Sequence, residues 1–278
     1  MRLLKNYLVH LLYDKKYMLL NRLIKPHSSL YKNISVKSKE YDFFMKWDPL
    51  RWFGMWCMTL GGFNIVKGNE DRYVFWDRSS GTFFIYLVLL IITIWTVLTS
   101  NNSKIPKTIN DFRSILYFLI LGMLSLLMGA LSQSLSIKIV NYFPYIFYYF
   151  GVLLVFSINL KQKDETSSIM VNGKRLSYLI VSSILIFLSS SLGYYLDDPI
   201  ISTVSTVYLP FLIVSIIMPI HVRHLQRARM YGLFIPAVFL SIRYPWFLIP
   251  LLSLFFILRT YHYFRFNIVF PTFAVDIE

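Results

Sequence analysis

Five long stretches without any Asp, Glu, Lys or Arg limit the fold of this chain more than any other feature. They cover residues 79–103, 114–137, 139–160, 176–196 and 199–220. Because a helix needs about 20 apolar residues to cross the hydrocarbon core of a bilayer, each stretch is long enough for one crossing. Five such stretches in a chain of 278 residues do not fit a water-soluble core. The sequence therefore predicts an all-α, polytopic integral membrane protein.

The uncharged stretches and one later apolar segment give the expected positions of the helices. Within the five stretches we expect helices at about 82–100, 114–132, 140–160, 176–195 and 201–220. The later segment, residues 231–258, is interrupted by Arg243-Tyr244-Pro245, which leaves two halves of about 12 and 14 residues. Two interpretations stay open for it. A tight hairpin that turns at Arg243 is favoured, and one long helix broken by proline within the membrane is the alternative.

The positions of the basic residues predict the orientation of the chain. Among the loops that follow residue 99, twelve Lys or Arg lie on one side, whereas Lys138 and Arg243 are the two on the opposite side. The twelve belong to residues 100–113, 161–175, 221–230 and 259–265. Cytoplasmic loops of membrane proteins carry an excess of Lys and Arg, so this side is expected to be cytoplasmic, or the matrix side in an organelle. The same distribution accounts for the net charge of +14 without a nucleic-acid partner.

The N-terminal segment is basic and is expected on the same side, which sets the number of crossings. Residues 1–47 hold ten Lys or Arg against three acids. Both ends lie on one side if residues 50–66 also cross, which gives eight membrane segments. About seven to eight segments are therefore expected, in a bacterial inner membrane or an organelle inner membrane. The expected domains are a basic amphipathic segment (1–49), a transmembrane domain (50–260) and a short C-terminal tail (261–278).

The N-terminal segment itself is predicted to begin with a helix that lies on the membrane surface. Apolar and basic residues alternate at roughly helical spacing in residues 6–24. A soluble amphipathic helix packed on the rest of the protein is the alternative. We expect residues 25–40 to form a polar linker, and residues 66–76 are compatible with a short β-hairpin because a Gly-Asn-Glu-Asp turn separates β-prone residues.

Two histidines three residues apart raise the question of a metal site. His221 and His224 share one helix face, and His262 is the only candidate for a third nitrogen ligand. No acidic residue lies within about twenty positions of the pair, and neighbouring arginines oppose a further positive charge. The pair is therefore interpreted as part of a basic cytoplasmic loop, and a haem or divalent metal is the alternative. No cofactor is expected, and the single Cys57 excludes an internal disulfide.

Basic residues near two helix ends are candidates for binding a phosphate headgroup. They are Arg223, Arg227, Arg229, Arg259 and Arg265. The alternative is that these side chains only reach the interface beside aromatic anchors such as Tyr261, Tyr263 and Phe264. The adjacent carboxylates Asp197 and Asp198 precede Pro199 and are interpreted as a helix stop, because neighbouring side chains point in different directions and suit shared acid–base chemistry poorly.

Small and hydroxylated residues provide the clearest sites for helix packing. A stripe of small residues lies at three- and four-residue intervals: Gly122, Ser125, Gly129 and Ser132. Such a stripe lets another helix approach closely, although it could instead line a groove for a lipid or a cofactor. A second set can hydrogen-bond across a helix interface: Ser182, Ser183, Ser189, Ser190 and Ser191.

These observations favour a non-catalytic role. No charged residue lies at the centre of the five stretches, and the chain has no phosphate-binding loop, dinucleotide-binding, serine-hydrolase or zinc-protease motif. The expected function is a membrane subunit of a larger respiratory, transport or secretion assembly that provides packing and lipid-binding surface. Its expected partners are anionic headgroups and other membrane subunits. The alternatives are an enzyme acting on a phospholipid or polyprenyl phosphate at the cytoplasmic interface and, third, a small transporter.

Overall fold

The computed structural model is mostly helical in the part of the chain that it describes. It describes residues 19–47, 49–67, 80–100, 102, 106, 109, 111–131, 138–158, 173–218, 221–222, 225 and 229–268. No strand occurs among these residues, which confirms the all-α prediction. The expected surface helix over residues 6–24 lies mostly outside them, and the hairpin expected at 66–76 lies outside them except for its first two residues.

The described helices follow one another in a simple order. The N-terminal region contains α1 (Leu19–Leu23), α2 (Ser29–Ser38) and α3 (Asp42–Lys46). The longer helices are α4 (Pro49–Lys67), α5 (Ser80–Thr99), α6 (Phe112–Ala130), α7 (Phe143–Phe156), α8 (Gly173–Tyr195), α9 (Pro199–Ile217), α10 (Arg229–Arg243) and α11 (Leu248–Phe266). Short 3₁₀ turns precede α3, α7 and α11 at Lys39–Tyr41, Ile139–Tyr142 and Pro245–Phe247.

Six of the described helices are long and apolar enough to cross a membrane. These are α5, α6, α7 with its preceding turn, α8, α9, and α11 with its preceding turn, and their apolar stretches have 18 to 22 residues. Large apolar side chains remain exposed on them, for example Phe83 at 71% and Leu98 at 75% on α5. Exposed apolar surface of this kind suits contact with lipid, and the chain is an integral membrane protein. The further crossings expected at α4 and α10 stay predictions.

Local sequence signals set two of the helix ends. At the start of α6, the Asp111 carboxylate accepts a hydrogen bond from the Ser114 backbone N–H at 3.0 Å, and the Ser114 hydroxyl accepts one from the Asp111 N–H at 3.1 Å. The hydrogen bonds from Ser114 lower the pKa of Asp111. At the end of α10, Tyr244 adopts φ −122° and ψ 80°, because a residue before proline disfavours the helical region. The break expected at Arg243–Pro245 is confirmed.

The described residues divide into two compact units. The larger unit, Lys46–Leu252, is held together by aromatic and polar contacts between helices. The Trp56 indole N–H on α4 donates to the Leu89 carbonyl on α5 at 3.0 Å, and the buried Arg51 guanidinium donates to the Thr96 carbonyl at 3.2 Å. The rings of Phe53 and Phe247 stack with their centroids 5.2 Å apart. Its core therefore uses polar anchors as well as apolar packing.

The smaller unit combines residues 19–45 with residues 253–268. The Tyr31 hydroxyl donates to the Tyr263 carbonyl at 3.0 Å, and the Tyr263 hydroxyl donates to the Ile24 carbonyl at 2.6 Å. The expectation of a polar linker at 25–40 is wrong, because α2 occupies residues 29–38. Two contacts explain this helix: the Ser28 hydroxyl caps it by accepting from the Tyr31 N–H at 3.1 Å, and the Tyr31 ring is buried against Tyr263 and Phe264.

The second half of the interrupted apolar segment is longer than expected. The prediction of about 14 residues, too short to cross alone, is wrong, because α11 has 19 residues and ends at Phe266. The helix continues past the charged Arg259 since its last turns bury several side chains: Tyr261, His262, Tyr263 and Phe264. The expected tail at 261–278 thus begins within a helix.

Candidate functional site

A buried carboxylate at the turn between α8 and α9 is the most unusual polar group of the larger unit. Asp198 is 7% exposed and directly precedes Pro199, the first residue of α9. Its Oδ1 accepts hydrogen bonds from the backbone N–H groups of Ile200 at 3.0 Å and Ile201 at 3.2 Å. This geometry makes Asp198 the N-cap of α9. The preceding helix α8 ends at Tyr195, just before the aspartate pair, as the interpretation of the pair as a helix stop expects. Asp197 lies on the other side of the turn, exposed and with φ 52°.

The Asp198 carboxylate also belongs to a polar network that joins three parts of the unit. The Tyr145 hydroxyl on α7 donates to Asp198 Oδ2 at 2.7 Å, and Asn64 Nδ2 on α4 donates to the Tyr145 oxygen at 3.1 Å. Asn64 is fully buried, and its Oδ1 has no hydrogen-bond partner among the described residues. We call Asn64, Tyr145 and Asp198 the buried triad. Sequence reasoning missed it, because no local pattern reveals which tyrosine reaches the carboxylate.

The surroundings of Asp198 determine its protonation. Burial raises the pKa of Asp198, while the hydrogen bonds from Tyr145 and the two backbone N–H groups, and the positive charge of Arg243, act in the opposite direction. Burial is the largest of these effects. The triad can therefore hold a proton at the carboxyl group more readily than an exposed aspartate can. Among the described residues, no group of three or more His, Cys, Asp or Glu side chains is placed to hold a metal ion.

The structure describes some of the predicted phosphate-binding arginines. Arg223 and Arg227 lie outside the described residues, and the side chain of Arg229 is likewise not described. Arg259 and Arg265 both lie on α11 in the smaller unit. A phosphate pocket that combines all five arginines thus stays a prediction.

Arg265 already has an anionic partner within the protein. Its Nε and Nη2 donate to the two carboxylate oxygens of Asp42 at 3.0 and 3.2 Å. The Tyr261 hydroxyl donates to the same carboxylate at 2.6 Å. Because Asp42 uses one edge of the guanidinium in a two-point contact, that edge of Arg265 cannot also hold a phosphate.

The three predicted metal-binding histidines are not seen as one group. His224 lies outside the described residues, and His221 is half-buried, with its backbone N–H donating to the Met218 carbonyl at 3.0 Å. His262 is fully buried on α11, and its Nδ1 lies 2.8 Å from the Leu258 carbonyl oxygen. Since a carbonyl only accepts, Nδ1 carries the proton of that hydrogen bond. The metal or haem alternative stays untested.

The stripe of small residues on α6 lies where neighbouring groups come closest. A Cβ atom added at Gly129 would lie 1.9 Å from the Thr59 carbonyl oxygen on α4, and one added at Gly62 would lie 1.9 Å from the Leu126 carbonyl oxygen on α6. A Cβ at Gly122 would lie 2.2 Å from the Tyr149 ring. Ser125 is buried and donates to its own helix, to the Leu121 carbonyl, at 2.8 Å. Ser132 lies outside the described residues.

Serines on α8 make the hydrogen bonds between helices that their spacing suggested. Ser182 donates to the Gly151 carbonyl on α7 at 2.8 Å, and Ser189 donates to the Pro144 carbonyl at 2.6 Å. Ser189 also lies 2.8 Å from the Ser205 hydroxyl, and the Ser190 hydroxyl lies 2.7 Å from Thr206 on α9. Ser183 instead donates to the Leu179 carbonyl of its own helix at 2.8 Å. Helices α7, α8 and α9 are therefore joined by buried hydroxyl groups.

Comparison with known proteins adds no relative to these observations. No family model, no curated protein and no solved structure matches the chain.

Proposed function

We propose that the protein is a non-catalytic integral membrane subunit of a larger membrane assembly of the respiratory, transport or secretion type. The observation that carries the proposal is the use of polar groups inside the larger unit. The hydroxyls of Ser182, Ser189 and Ser190 bond neighbouring helices. Because these hydroxyl groups join helices inside the unit, they suit a scaffold. The outer apolar surface of such a scaffold contacts lipids and other subunits.

The alternative of an enzyme acting on a phosphorylated lipid receives less support from the same geometry. Of its candidate phosphate ligands, Arg265 is held by Asp42 through two hydrogen bonds. His262, one of its candidate acid–base groups, is fully buried and bonded to the Leu258 carbonyl through Nδ1. A group that exchanges protons with a substrate must come within hydrogen-bond reach of it, and a fully buried ring does not meet this condition without a rearrangement.

We propose that both termini of the subunit lie on the cytoplasmic side, or on the matrix side in an organelle. The support is the excess of Lys and Arg in the loops on that side, twelve against two after residue 99, or twelve against five once Lys67, Arg72 and Arg78 before α5 are counted. In this orientation the buried triad lies near the opposite membrane surface, and the start of α8 lies near the basic side. The membrane is proposed to be a bacterial inner membrane or an organelle inner membrane.

Photocrosslinking in the native membrane tests the subunit role. A photoreactive amino acid replaces Leu90, which is 58% exposed on α5, or Phe187, which is 58% exposed on α8. Ile92, 4% exposed on α5, is the matched buried control. We expect at least one exposed position to form a discrete, reproducible adduct with another membrane protein, and the control to form none.

Extraction in a mild detergent is the second measurement. A subunit is expected to leave the membrane with its partners in fixed stoichiometry. A monodisperse, folded single chain, together with exposed positions that crosslink only to lipid, contradicts the proposal.

A further inference from the structure

A buried arginine at the start of α8 has more hydrogen-bond donors than the protein satisfies. Arg175 is the first residue of the apolar stretch Arg175–Tyr195 and is 4% exposed. Its Nη2 donates to the Ser215 carbonyl in the last turn of α9, at a distance of 3.3 Å. Its Nε and Nη1 are buried and have no hydrogen-bond partner among the described residues. The site therefore contains a positive charge and two N–H donors, Nε and Nη1, that have no acceptor among the described residues.

The charge of this side chain makes the missing acceptor important. An arginine side chain stays protonated in proteins, so it cannot escape burial by losing its proton. A buried ion is strongly destabilising unless it is paired and hydrogen-bonded. Arg175 forms no ion pair with a carboxylate of the described residues, and its single bond goes to a neutral carbonyl. An anion from outside the described residues would supply both the charge and the acceptors.

We propose that Arg175 binds the phosphate of an anionic phospholipid headgroup, which requires the groups that cover its Nε and Nη1 to move aside on binding. The planar guanidinium matches the oxygens of a phosphate group and can donate to two of them at once. The position fits a lipid, because the first residue of a membrane-spanning stretch lies near the headgroups. Leu176 and Ile180 are exposed at 47% and 42% on the same helix, and their spacing of four residues puts them on one face that an acyl chain can cover.

The test measures lipid binding to the purified protein in detergent. Phosphatidylglycerol, diacylglycerol and inorganic phosphate are titrated separately, with bound lipid counted by native mass spectrometry and the melting temperature followed in parallel. We expect phosphatidylglycerol to bind and stabilise the wild type, and diacylglycerol, which lacks the phosphate, to do so at least about tenfold more weakly.

Variants assign the site to Arg175. Arg175→Gln is expected to weaken phosphatidylglycerol binding about tenfold or more. Arg175→Lys is expected to weaken it less, because lysine keeps the positive charge but lacks the planar guanidinium that donates to two phosphate oxygens. Arg113→Gln is the matched control, since Arg113 is an exposed arginine in the first turn of another membrane helix, α6. Its binding is expected to stay within about twofold of the wild type.

Each remaining result decides the proposal. Equal binding of phosphatidylglycerol by the wild type and Arg175→Gln overturns it. Stabilisation by inorganic phosphate as strong as that by the lipid identifies a free phosphate as the ligand and overturns the assignment to a headgroup. If Arg175→Gln does not fold, equal binding of phosphatidylglycerol and diacylglycerol by the wild type, or unchanged binding in Arg175→Lys, overturns the proposal. The crosslinking result is independent of all these outcomes.

Discussion

Asp197 and Asp198 are neighbours in the sequence, but the fold gives them opposite environments. Asp198 is buried, caps α9 and accepts from Tyr145, whereas Asp197 is exposed with φ 52°. The sequence analysis predicted a helix stop at this pair. The start of α9 at Pro199 suits the same residues, because proline favours the first position of a helix and aspartate favours the cap. Burial could not be predicted in this way. It depends on Tyr145, which is 53 residues from Asp198, and on Asn64, which is 81 residues from Tyr145.

The first prediction compares the two aspartates directly. Asp198→Ala removes the acceptor of two backbone N–H groups and of the Tyr145 hydroxyl, so we expect it to lower the free energy of unfolding by about 1–3 kcal/mol. Asp197→Asn is the control, because asparagine tolerates a positive φ and the position is exposed. Thermal unfolding in one detergent measures both variants. Equal melting temperatures for the two would show that the buried triad contributes no stability.

The second prediction concerns how the stability contributed by Asp198 depends on pH. Burial raises the pKa of this carboxyl in the folded state, so the folded protein binds its proton more tightly than the unfolded chain does. The contribution is therefore complete below the ordinary aspartate pKa of about 3.9 and is lost as the pH rises through the higher pKa of the folded state. We therefore expect the free energy of unfolding of the wild type, relative to that of Asp198→Asn, to fall as the pH rises from about 3.9 through the raised pKa of Asp198. A difference that rises with pH contradicts the burial effect.

At the scale of helices, an abrupt change of composition made some boundaries predictable. Charged residues frame the uncharged stretches, and the helix expected at about 82–100 extends over Ser80–Thr99. By contrast, α2 was not predicted, because its sequence is polar and has no apolar stripe wide enough to indicate a helix. It is fixed by the Ser28 cap and by the burial of Tyr31 against Tyr263 and Phe264. Neither of these aromatic partners is close to it in the sequence.

The third prediction tests the contact between α4 and α6. A methyl group at Gly129 or Gly62 would overlap a backbone carbonyl oxygen of the other helix, each 1.9 Å away, and a backbone cannot move aside cheaply. We expect Gly129→Ala and Gly62→Ala to destabilise the protein by about 1–3 kcal/mol or more. Gly54→Ala is the matched control, since its Cβ would lie 3.1 Å from the end of the Leu233 side chain, which can move. It is expected to be nearly neutral.

The readout is thermal unfolding and the yield of monodisperse protein in one detergent. All three variants replace glycine by alanine in a helix, so the gain in helix propensity is common to them. Three equal melting temperatures would mean that α4 and α6 do not approach each other closely in the membrane.

At the scale of the whole molecule, the sequence predicted the membrane class but not the arrangement of polar contacts. The membrane class follows from the five uncharged stretches, each long enough to cross a bilayer, which a water-soluble protein does not contain. The contacts between helices depend on rotation about the helix axes, which a nearly uniform apolar composition does not specify. Ser182 and Ser183 are adjacent, but only Ser182 reaches another helix, at the Gly151 carbonyl. This difference of about 100° around α8 decides which hydroxyl joins two helices.

The last prediction tests the orientation. Single cysteines are placed at Thr166, in the basic loop before α8, and at Tyr195, 83% exposed at the end of α8, with Cys57 replaced by alanine. The two positions flank one helix of 23 residues, long enough to cross a bilayer. In sealed inside-out vesicles an impermeant maleimide should label Thr166→Cys and not Tyr195→Cys, because the basic loop faces the cytoplasm. Right-side-out vesicles should reverse the pattern, and solubilised protein, in which both cysteines should react, controls for accessibility. Labelling of both cysteines from one side would overturn the crossing by α8, and the reversed pattern would overturn the orientation.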